Sequence, residues 1–285
     1  MKDHSQAPRT SQLGWDMDHI WLLRDMVWTL EGEWRSADGR WMPLTGRVEI
    51  EKGLAKWILD DEEAPQRFIT IHPGGGNRQI TRLEIQTESV TLQGTLRSFG
   101  ARQDLSGIAG SWSLAETALQ RADGSVEVDG VFTRLGEVRD AWRWIVRPAP
   151  LSETWTLAPD VVDQIVARAR EGAPIEQCGL LVGKPGERLI TGQIPMTNVD
   201  QSVDHFTMDP KEQFQAVKSV RGSEFEIVGS WHSHPYSPAR LSDEDVKLAA
   251  DETALYGLVS LMEPDRPAFN VFRVVGGKVA PVRLA

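Results

Sequence analysis

The sequence contains a single cysteine, Cys178, among its 285 residues. One thiol cannot form an intrachain disulfide, and it cannot supply the several sulfur ligands of a cysteine-built zinc site. Positive charge is also scarce, because 31 Lys and Arg face 41 Asp and Glu and leave a net charge of −10. A chain with this balance is a poor general binder of phosphate backbones. We therefore expect no nucleic-acid partner.

Long apolar runs are missing as well. No stretch approaches the roughly 20 apolar residues of a membrane helix, and the first 14 residues lack the apolar segment of a secretion signal. We therefore expect a cytoplasmic protein with no membrane partner and a disordered tail over residues 1–14. Apolar residues make up 40% of the chain and charged residues 25%, which is ordinary globular composition and excludes collagen, coiled coil and wholesale disorder.

Tryptophan is distributed unevenly, which predicts two unlike domains. Nine of the 11 tryptophans lie before residue 150, and the length suits about two domains of roughly 150 residues. The segment Arg147–Pro150 contains two prolines, which favour extended backbone and a stiff junction. We predict a β-rich domain over residues 15–147 and a second domain over 151–285.

The first of these domains has the texture of an all-β fold. Short alternating segments are separated by turn residues, which favours an antiparallel sheet, sandwich or small barrel. The strands are predicted at 47–50, 55–59, 67–72, 80–85, 89–98, 108–114 and 126–133. A leading helix over 18–30 is predicted from the three-to-four spacing of Ile20, Leu23, Val27 and Leu30.

The second domain reads as α/β, a mixed sheet flanked by helices. Helices are predicted at 159–171, 210–220 and 242–252, with Pro210 suited to a first helical turn. Strands are predicted at 178–182, 188–198, 225–231, 257–261, 270–275 and 279–284.

The most informative residues follow the strand at 225–231. Residues two apart on extended backbone point to the same side, so His232 and His234 can present two imidazoles to one point. Pro235 ends the strand, and Asp245 falls in the first turn of the next helix, from which a carboxylate can reach back. Two imidazoles and one carboxylate suit zinc and leave a fourth position for water.

Structural roles compete with this interpretation. A His-x-His pair is often no more than the end of a strand. Ser242 and Asp245 have the spacing of a capping box, although Glu or Gln is more usual than Asp at the second position. Asp243 and Glu244 are ordinary first-turn acids that favour the helix dipole.

The complete pattern resembles a known family. His232–Pro235, followed after six residues by Ser242 and Asp245, resembles the signature of the JAMM (MPN+) zinc metallopeptidases. The segment Glu176–Leu181 is similar to that family's upstream Glu-x-Cys-Gly-Leu-Leu, and Phe206–Pro210 is similar to its Phe-x-x-Asp-Pro stretch. The resemblance runs from about Leu157 to the C-terminus, under half of the chain, and does not extend to the first 150 residues.

The resemblance implies a role for each matching residue. His232, His234 and Asp245 would bind one Zn²⁺ per chain. Glu176 would hold the attacking water, accept its proton as general base and then pass a proton to the leaving amine as general acid. Ser242 would donate a hydrogen bond to the developing oxyanion. The implied domain is a JAMM/MPN+ metallopeptidase with its full ligand set.

Other candidate residues are assigned no chemistry. Cys178 lies in an apolar run, so we expect a buried structural thiol rather than a nucleophile. His72 and His205 are isolated histidines and receive no role. The glycines at 74–76 lack the Lys-Ser or Lys-Thr of a phosphate-binding loop, so we predict a turn there.

The resemblance also implies a substrate class. It implies cleavage after the C-terminal glycine of a ubiquitin-like protein or its conjugates, with enzymes of a ubiquitin-like conjugation pathway as further partners. Two alternatives stay open: processing of a ubiquitin-like or sulfur-carrier precursor, and a non-catalytic scaffold. For the first domain we hypothesise substrate recruitment, with most tryptophans in its core and one or two exposed in a binding patch, and a small-ligand barrel as the alternative.

Overall fold

The computed structural model describes residues 26–51, 54–61, 64, 67–71, 80–87, 89–99 and 101–285. The predicted tail over 1–14, the glycine turn at 74–76 and His72 lie outside these residues, as does the first part of the predicted helix over 18–30. Among the described helices, none has the length and apolar character needed to cross a membrane.

The described residues of the first half of the chain form a closed barrel of ten strands. Every strand pairs antiparallel with the next one in sequence, and the last returns to pair with the first. The strands are β1 (Met26–Arg35), β2 (Trp41–Glu51), β3 (Leu54–Leu59), β4 (Arg67–Ile71), β5 (Ile80–Thr87), β6 (Thr91–Phe99), β7 (Arg102–Ala109), β8 (Trp112–Gln120), β9 (Val126–Arg134) and β10 (Glu137–Pro148).

The predicted leading helix is wrong where the structure describes it. Residues 26–30 belong to β1, in which Thr29 and Leu30 pair with Arg147 and Val146 of β10. The apolar positions follow a period of two, because Trp28 and Leu30 are buried while the intervening residue is exposed. Pairing on both sides of the strand, which the short apolar run does not reveal, overrides the helical spacing.

Tryptophan side chains fill much of the barrel interior. Trp28, Trp34, Trp57, Trp142 and Trp144 belong to one buried cluster, as expected for large aromatics. Trp41 is instead 38% exposed on the outer surface, and the guanidinium of Arg143 lies 4.6 Å from its ring centroid.

The interior packing depends on glycine in one place especially. Gly130 on β9 pairs with Trp142 on β10, and a Cβ at Gly130 would overlap the Trp142 ring. That ring donates a hydrogen bond from its Nε1 to the buried Glu116 carboxylate at 2.8 Å. The missing side chain therefore creates the space for the indole.

The remaining strand predictions are partly correct. The predicted strand over 108–114 crosses the turn between β7 and β8, where Gly110 has a φ of +59°. Strands β7 and β10 were not predicted, because Arg102–Ala109 is largely polar and Glu137–Pro148 alternates charged residues with tryptophans. Strand β10 runs through Pro148, so the predicted junction over Arg147–Pro150 begins inside the barrel.

The second half forms a mixed sheet of eight strands with three helices, as predicted for its fold class. Its strands are β11 (Thr154–Leu157), β12 (Cys178–Gly183), β13 (Leu189–Met196), β14 (Glu226–His234), β15 (Leu255–Ser260), β16 (Ala268–Val275), β17 (Lys278–Pro281) and β18 (Arg283–Leu284). Their order is β17-β16-β15-β14-β12-β13-β11-β18. The helices are α1 (Val161–Gly172), α2 (Pro210–Val220) and α3 (Asp243–Leu248).

Two features of this sheet position the residues of interest. β14 is central, because it pairs antiparallel with β12 on one side and parallel with β15 on the other. The C-terminal part of β14 is therefore held by strand pairing on both sides. Helix α3 ends at Leu248, earlier than the predicted Glu252. The pattern missed β11, a strand of four residues, and it predicted one strand over 279–284 where the structure has two, β17 and β18, at opposite edges of the sheet.

We predict that Gly130→Ala destabilises the barrel. The added methyl group must displace the Trp142 ring and disturb its bond to Glu116, and overpacking of this kind costs about 1–3 kcal/mol. Chemical denaturation monitored by tryptophan fluorescence measures the change in the free energy of unfolding. Gly192→Ala, where nothing lies within 4 Å of the added Cβ, is the matched control and should change stability little. Equal effects of the two variants would contradict this account of the packing.

Candidate metal centre

Strand β14 delivers two histidines to the same side of the sheet. His232 and His234 are both buried at its C-terminal end, where they pair with Leu258 and Ser260 of β15. Trp231, one residue earlier, is fully buried in the core of the second domain. The alternation of the strand therefore separates the core side chain from the two imidazoles.

The two imidazoles meet the carboxylate of Asp245. His232 Nε2 lies 3.1 Å from His234 Nε2 and 3.4 Å from Asp245 Oδ1. His234 Nε2 lies 3.9 Å from Asp245 Oδ2. Among the described residues, these three form the group whose ligand atoms lie within 4.8 Å of one another. The structure thus brings together the three residues predicted as metal ligands.

A backbone carbonyl orients the second imidazole. His234 Nδ1 lies 2.9 Å from the carbonyl oxygen of Pro238, in the loop that follows β14. A carbonyl can only accept, so Nδ1 carries the proton and Nε2 presents its lone pair to the other ligands. His232 is packed from the other side by Phe206, with ring centroids 4.5 Å apart.

Asp245 also completes a capping box. Ser242 Oγ accepts a hydrogen bond from Asp245 N at 3.1 Å, and Asp245 Oδ2 accepts one from Ser242 N at 2.7 Å. Ser242 Oγ also lies 2.7 Å from Oδ2 and donates to it. The structural role considered for these two residues is therefore present, and it holds Oδ1 toward His232.

The carboxylate of Glu176 faces the same centre. Its side chain is buried, and Glu176 Oε1 lies 3.9 Å from His234 Nε2. Glu176 lies two residues before β12, the strand that pairs with β14, and its backbone N–H donates to Ser202 O at 2.9 Å. All five predicted site residues are thus near one point.

Two positioning residues were missed in the sequence. Ser233 is fully buried between the histidines; its Oγ accepts from Gln177 N, and its own N–H donates to Gln177 O, both at 2.8 Å. Asn198 Nδ2 donates to the carbonyl oxygens of Glu176 and His205 at 3.0 and 3.2 Å. Ser233 was visible inside His232–Pro235 as a small polar residue, whereas nothing in the sequence distinguished Asn198.

Burial perturbs the pKa values of these groups. Burial raises the pKa of Glu176 to about 8, although the positive charge of His232 opposes the change. Burial and the neighbouring His232 lower the pKa of His234 to about 4. Burial would raise the pKa of Asp245, but His232 outweighs it and the net shift is downward. A cluster of strongly shifted groups is typical of a functional site.

The donor set fits a zinc ion. With zinc–ligand bonds of about 2.0–2.1 Å, tetrahedral ligand atoms lie about 3.3 Å apart. The separations of 3.1 and 3.4 Å around His232 Nε2 agree with this spacing. The fixed Nδ1 proton of His234 and the hydrogen-bonded Asp245 are the outer contacts that metal ligands require.

Two residues without an assigned role lie apart from this chemistry. Cys178 is fully buried, and burial raises the pKa of its thiol to about 12, so it is a structural thiol as predicted. His205 is half-exposed and lies 3.2 Å from Asp200.

Comparison with known proteins points to one family. Residues 158–274 match the model of Prok-JAB, the prokaryotic homologues of the JAB domain. The chain is 37% identical over 120 residues to the CysO-cysteine peptidase of Mycobacterium tuberculosis and of Mycobacterium bovis, covering 42% of this chain and 82% of those proteins. It is 35% identical over 91 residues to the desampylase of Haloferax volcanii, covering 30% of this chain and 66% of that protein.

A solved structure is similar to part of the chain. The solution structure of a protein from Desulfitobacterium hafniense is 39% identical, with a TM-score of 0.43, and covers 46% of this chain and 90% of that protein.

We predict that Glu176 makes the stability of the metal-free protein depend on pH. Burial raises its pKa from the ordinary 4.5 to about 8 in the folded chain, so its contribution to stability is fully present below about pH 4.5 and is lost as pH rises through 8. The free energy of unfolding should fall relative to that of Glu176→Gln, by on the order of a few kcal/mol between pH 5 and 9. Parallel profiles of the two proteins in chelator would contradict the burial argument.

Proposed function

The chain belongs to the family of prokaryotic homologues of the JAB domain, and we propose that it is a zinc-dependent peptidase or isopeptidase that acts on a ubiquitin-like protein. The observation that carries the proposal is the convergence of two imidazole nitrogens and a carboxylate beside a second, buried carboxylate. A purely structural metal site does not need the second carboxylate, that of Glu176, whereas hydrolysis needs a general base.

In this proposal His232, His234 and Asp245 hold the zinc ion. When bound, zinc supplies a Lewis acid and lowers the pKa of water toward 7. The protein's contribution is orientation: the Pro238 carbonyl fixes His234, and the backbone of Ser242 fixes Asp245.

Glu176 acts as the proton shuttle. Its carboxylate takes a proton from the attacking water as the peptide carbon is attacked, and it then gives a proton to the leaving amine. Burial suits both steps, because it raises the pKa of the carboxyl to about 8, close enough to neutral pH for the group to accept and to release a proton. Two hydrogen bonds hold the backbone at Glu176. Asn198 Nδ2 donates to the carbonyl oxygen of Glu176, and the N–H of Gln177, the next residue, donates to Ser233 Oγ.

Ser242 stabilises the oxyanion in the same scheme. Its hydroxyl donates to Asp245 in the structure, so the O–H must turn about the Cβ–Oγ bond to donate to a developing oxyanion. The backbone N–H of Ser242 continues to hold Asp245 during this rotation, because it makes its own bond to Oδ2. One residue thereby serves both the ligand and the substrate.

We infer the substrate class from the family and from the named relatives. The CysO-cysteine peptidases and the desampylases suggest two related reactions, release of a short C-terminal extension and removal of an attached protein. We propose deconjugation after the C-terminal glycine of a ubiquitin-like protein as the main activity. Processing of a ubiquitin-like or sulfur-carrier precursor is the second candidate, favoured by the peptidase relatives. A cytoplasmic location and conjugation enzymes as partners stay predictions.

We also propose that the barrel recruits the substrate protein. A groove of about 570 Å³ in the barrel is lined by aromatic, cationic, acidic and apolar residues, among them Trp41, Arg143, Asp129 and Val138, a mixture that suits a protein partner. Among the described tryptophans, Trp41 is 38% exposed, which supports the proposal of an exposed aromatic residue in such a patch.

We predict that Glu176→Gln abolishes cleavage while retaining zinc. Removal of the general base should lower kcat by about 10²–10⁴-fold, whereas the three ligands remain. The assay compares wild type with Glu176→Gln on a ubiquitin-like protein fused to a reporter through its C-terminal glycine, and on one carrying an isopeptide-linked lysine. Mass spectrometry identifies the products, and atomic absorption measures zinc in both proteins.

A chelator and Asp245→Ala provide the controls, and both should remove zinc and activity together. Cleavage of the isopeptide substrate supports deconjugation, and cleavage of the linear fusion alone supports precursor processing. Equal cleavage by wild type and Glu176→Gln would overturn the mechanism. A native protein without zinc that cleaves neither substrate would favour the scaffold.

A further inference from the structure

The connection between β8 and β9 of the barrel has a fixed shape of its own. We call it the brace turn (Arg121–Ser125). Gly124 N donates to Arg121 O at 3.0 Å, and Gly124 has a φ of +77°, a conformation that glycine adopts without strain. Asp123 Oδ1 accepts a hydrogen bond from Ser125 N at 2.9 Å. The local sequence therefore builds a rigid corner at this end of the barrel.

This corner is bonded to the loop that follows the histidines, the ligand loop (Pro235–Leu241). Ala239 N donates to Ala122 O at 2.8 Å across the two domains. Both alanines are buried, so water does not compete for this bond. The reverse face of the brace turn is tethered too, because Ala122 N donates to Glu263 Oε1 at 3.3 Å.

One side chain joins the two segments a second time. The amide nitrogen of Asn270, on β16, donates to Asp123 O at 2.8 Å and to Ala239 O at 2.9 Å. The side-chain amide has two N–H groups, so each carbonyl receives one. A residue of the second domain thus clamps the brace turn against the ligand loop.

The clamped residue adjoins the carbonyl that orients a metal ligand. Pro238, whose oxygen lies 2.9 Å from His234 Nδ1, immediately precedes Ala239. On the other side of the loop, Ser260 Oγ donates to Ser237 O at 2.7 Å. The Pro238 peptide is therefore held from both ends, once by the sheet and once by the barrel.

We propose that the brace turn and Asn270 are positioning elements of the metal centre. They hold the ligand loop so that the Pro238 carbonyl sets the orientation of His234. The inference rests on the metal centre of the proposed function and adds a second task for the barrel, separate from recruitment. It concerns geometry, since neither Asn270 nor the brace turn touches the predicted ligands.

The first test removes the clamp with Asn270→Ala. In the metal-free protein, hydrogen exchange at the Ala239 amide should become faster, because its partner turn is released. Zinc affinity, measured by competition with a chromophoric chelator, should fall about 3- to 10-fold, less than the roughly 10–100-fold typical of a direct partner of a ligand. The visible spectrum of the Co²⁺-loaded protein should also change, which loss of global stability alone does not cause.

The second test disturbs the same contact from the barrel side. Gly124→Val places a β-branched residue at positive φ and distorts the brace turn. It should lower zinc affinity by a similar factor, and the double variant should lower it by less than the product, since both changes break one contact. Independent, multiplicative effects would contradict a shared mechanism.

Val161→Ala is the control for general destabilisation. Val161 is buried in the core of the second domain on α1, so its truncation weakens the fold without touching the ligand loop. If wild type binds zinc and Asn270→Ala matches it in affinity and spectrum, the inference is overturned and the proposed function stands. The same holds if Val161→Ala loses as much zinc affinity as Asn270→Ala. A wild type that binds no zinc overturns both. Zinc binding that responds to Asn270 without any peptidase activity supports the inference alone.

Discussion

The site depends on the pairing of two strands at the centre of the second domain. Cys178 pairs with His232 in the antiparallel ladder between β12 and β14, which fixes the start of β12 beside the imidazoles. Ser233 extends the ladder by bonding Gln177 through both its hydroxyl and its backbone N–H. The base therefore lies just before β12 and the two ligands lie on β14, so the backbone pairing of these two strands sets how far the base is from the ligands.

The third ligand needs a different device, because it lies on a helix beyond a loop. Helix α3 has only six residues, too few to be stable alone, and its capping box fixes its first turn. The same carboxylate closes the cap with Oδ2 and faces His232 with Oδ1. Two interpretations that compete in the sequence, cap and ligand, are thus compatible in the structure, because a carboxylate has two oxygens.

The sequence predicted the site better than the scaffold, for a physical reason. The chemistry needs particular residue types at spacings set by one strand and one helical turn, so His232, His234, Ser242 and Asp245 could be placed together from local geometry. Asn198 could not, since its importance comes from contacts with Glu176 and His205 that only the fold creates. Barrel closure is likewise non-local: β1 looks helical until it pairs with β10, far away in sequence.

Protonation balances the charges of the metal-free cluster. The site buries two carboxylates, those of Glu176 and Asp245, against two imidazoles. Near pH 7 burial keeps the Glu176 carboxyl largely protonated and His234 neutral. Burial opposes the protonation of His232, but Asp245 raises the pKa of His232, so these two groups form the charged pair. A divalent cation binds a carboxylate and neutral imidazoles, so it takes the place of the proton on His232. Metal binding and protonation therefore compete for the same buried groups.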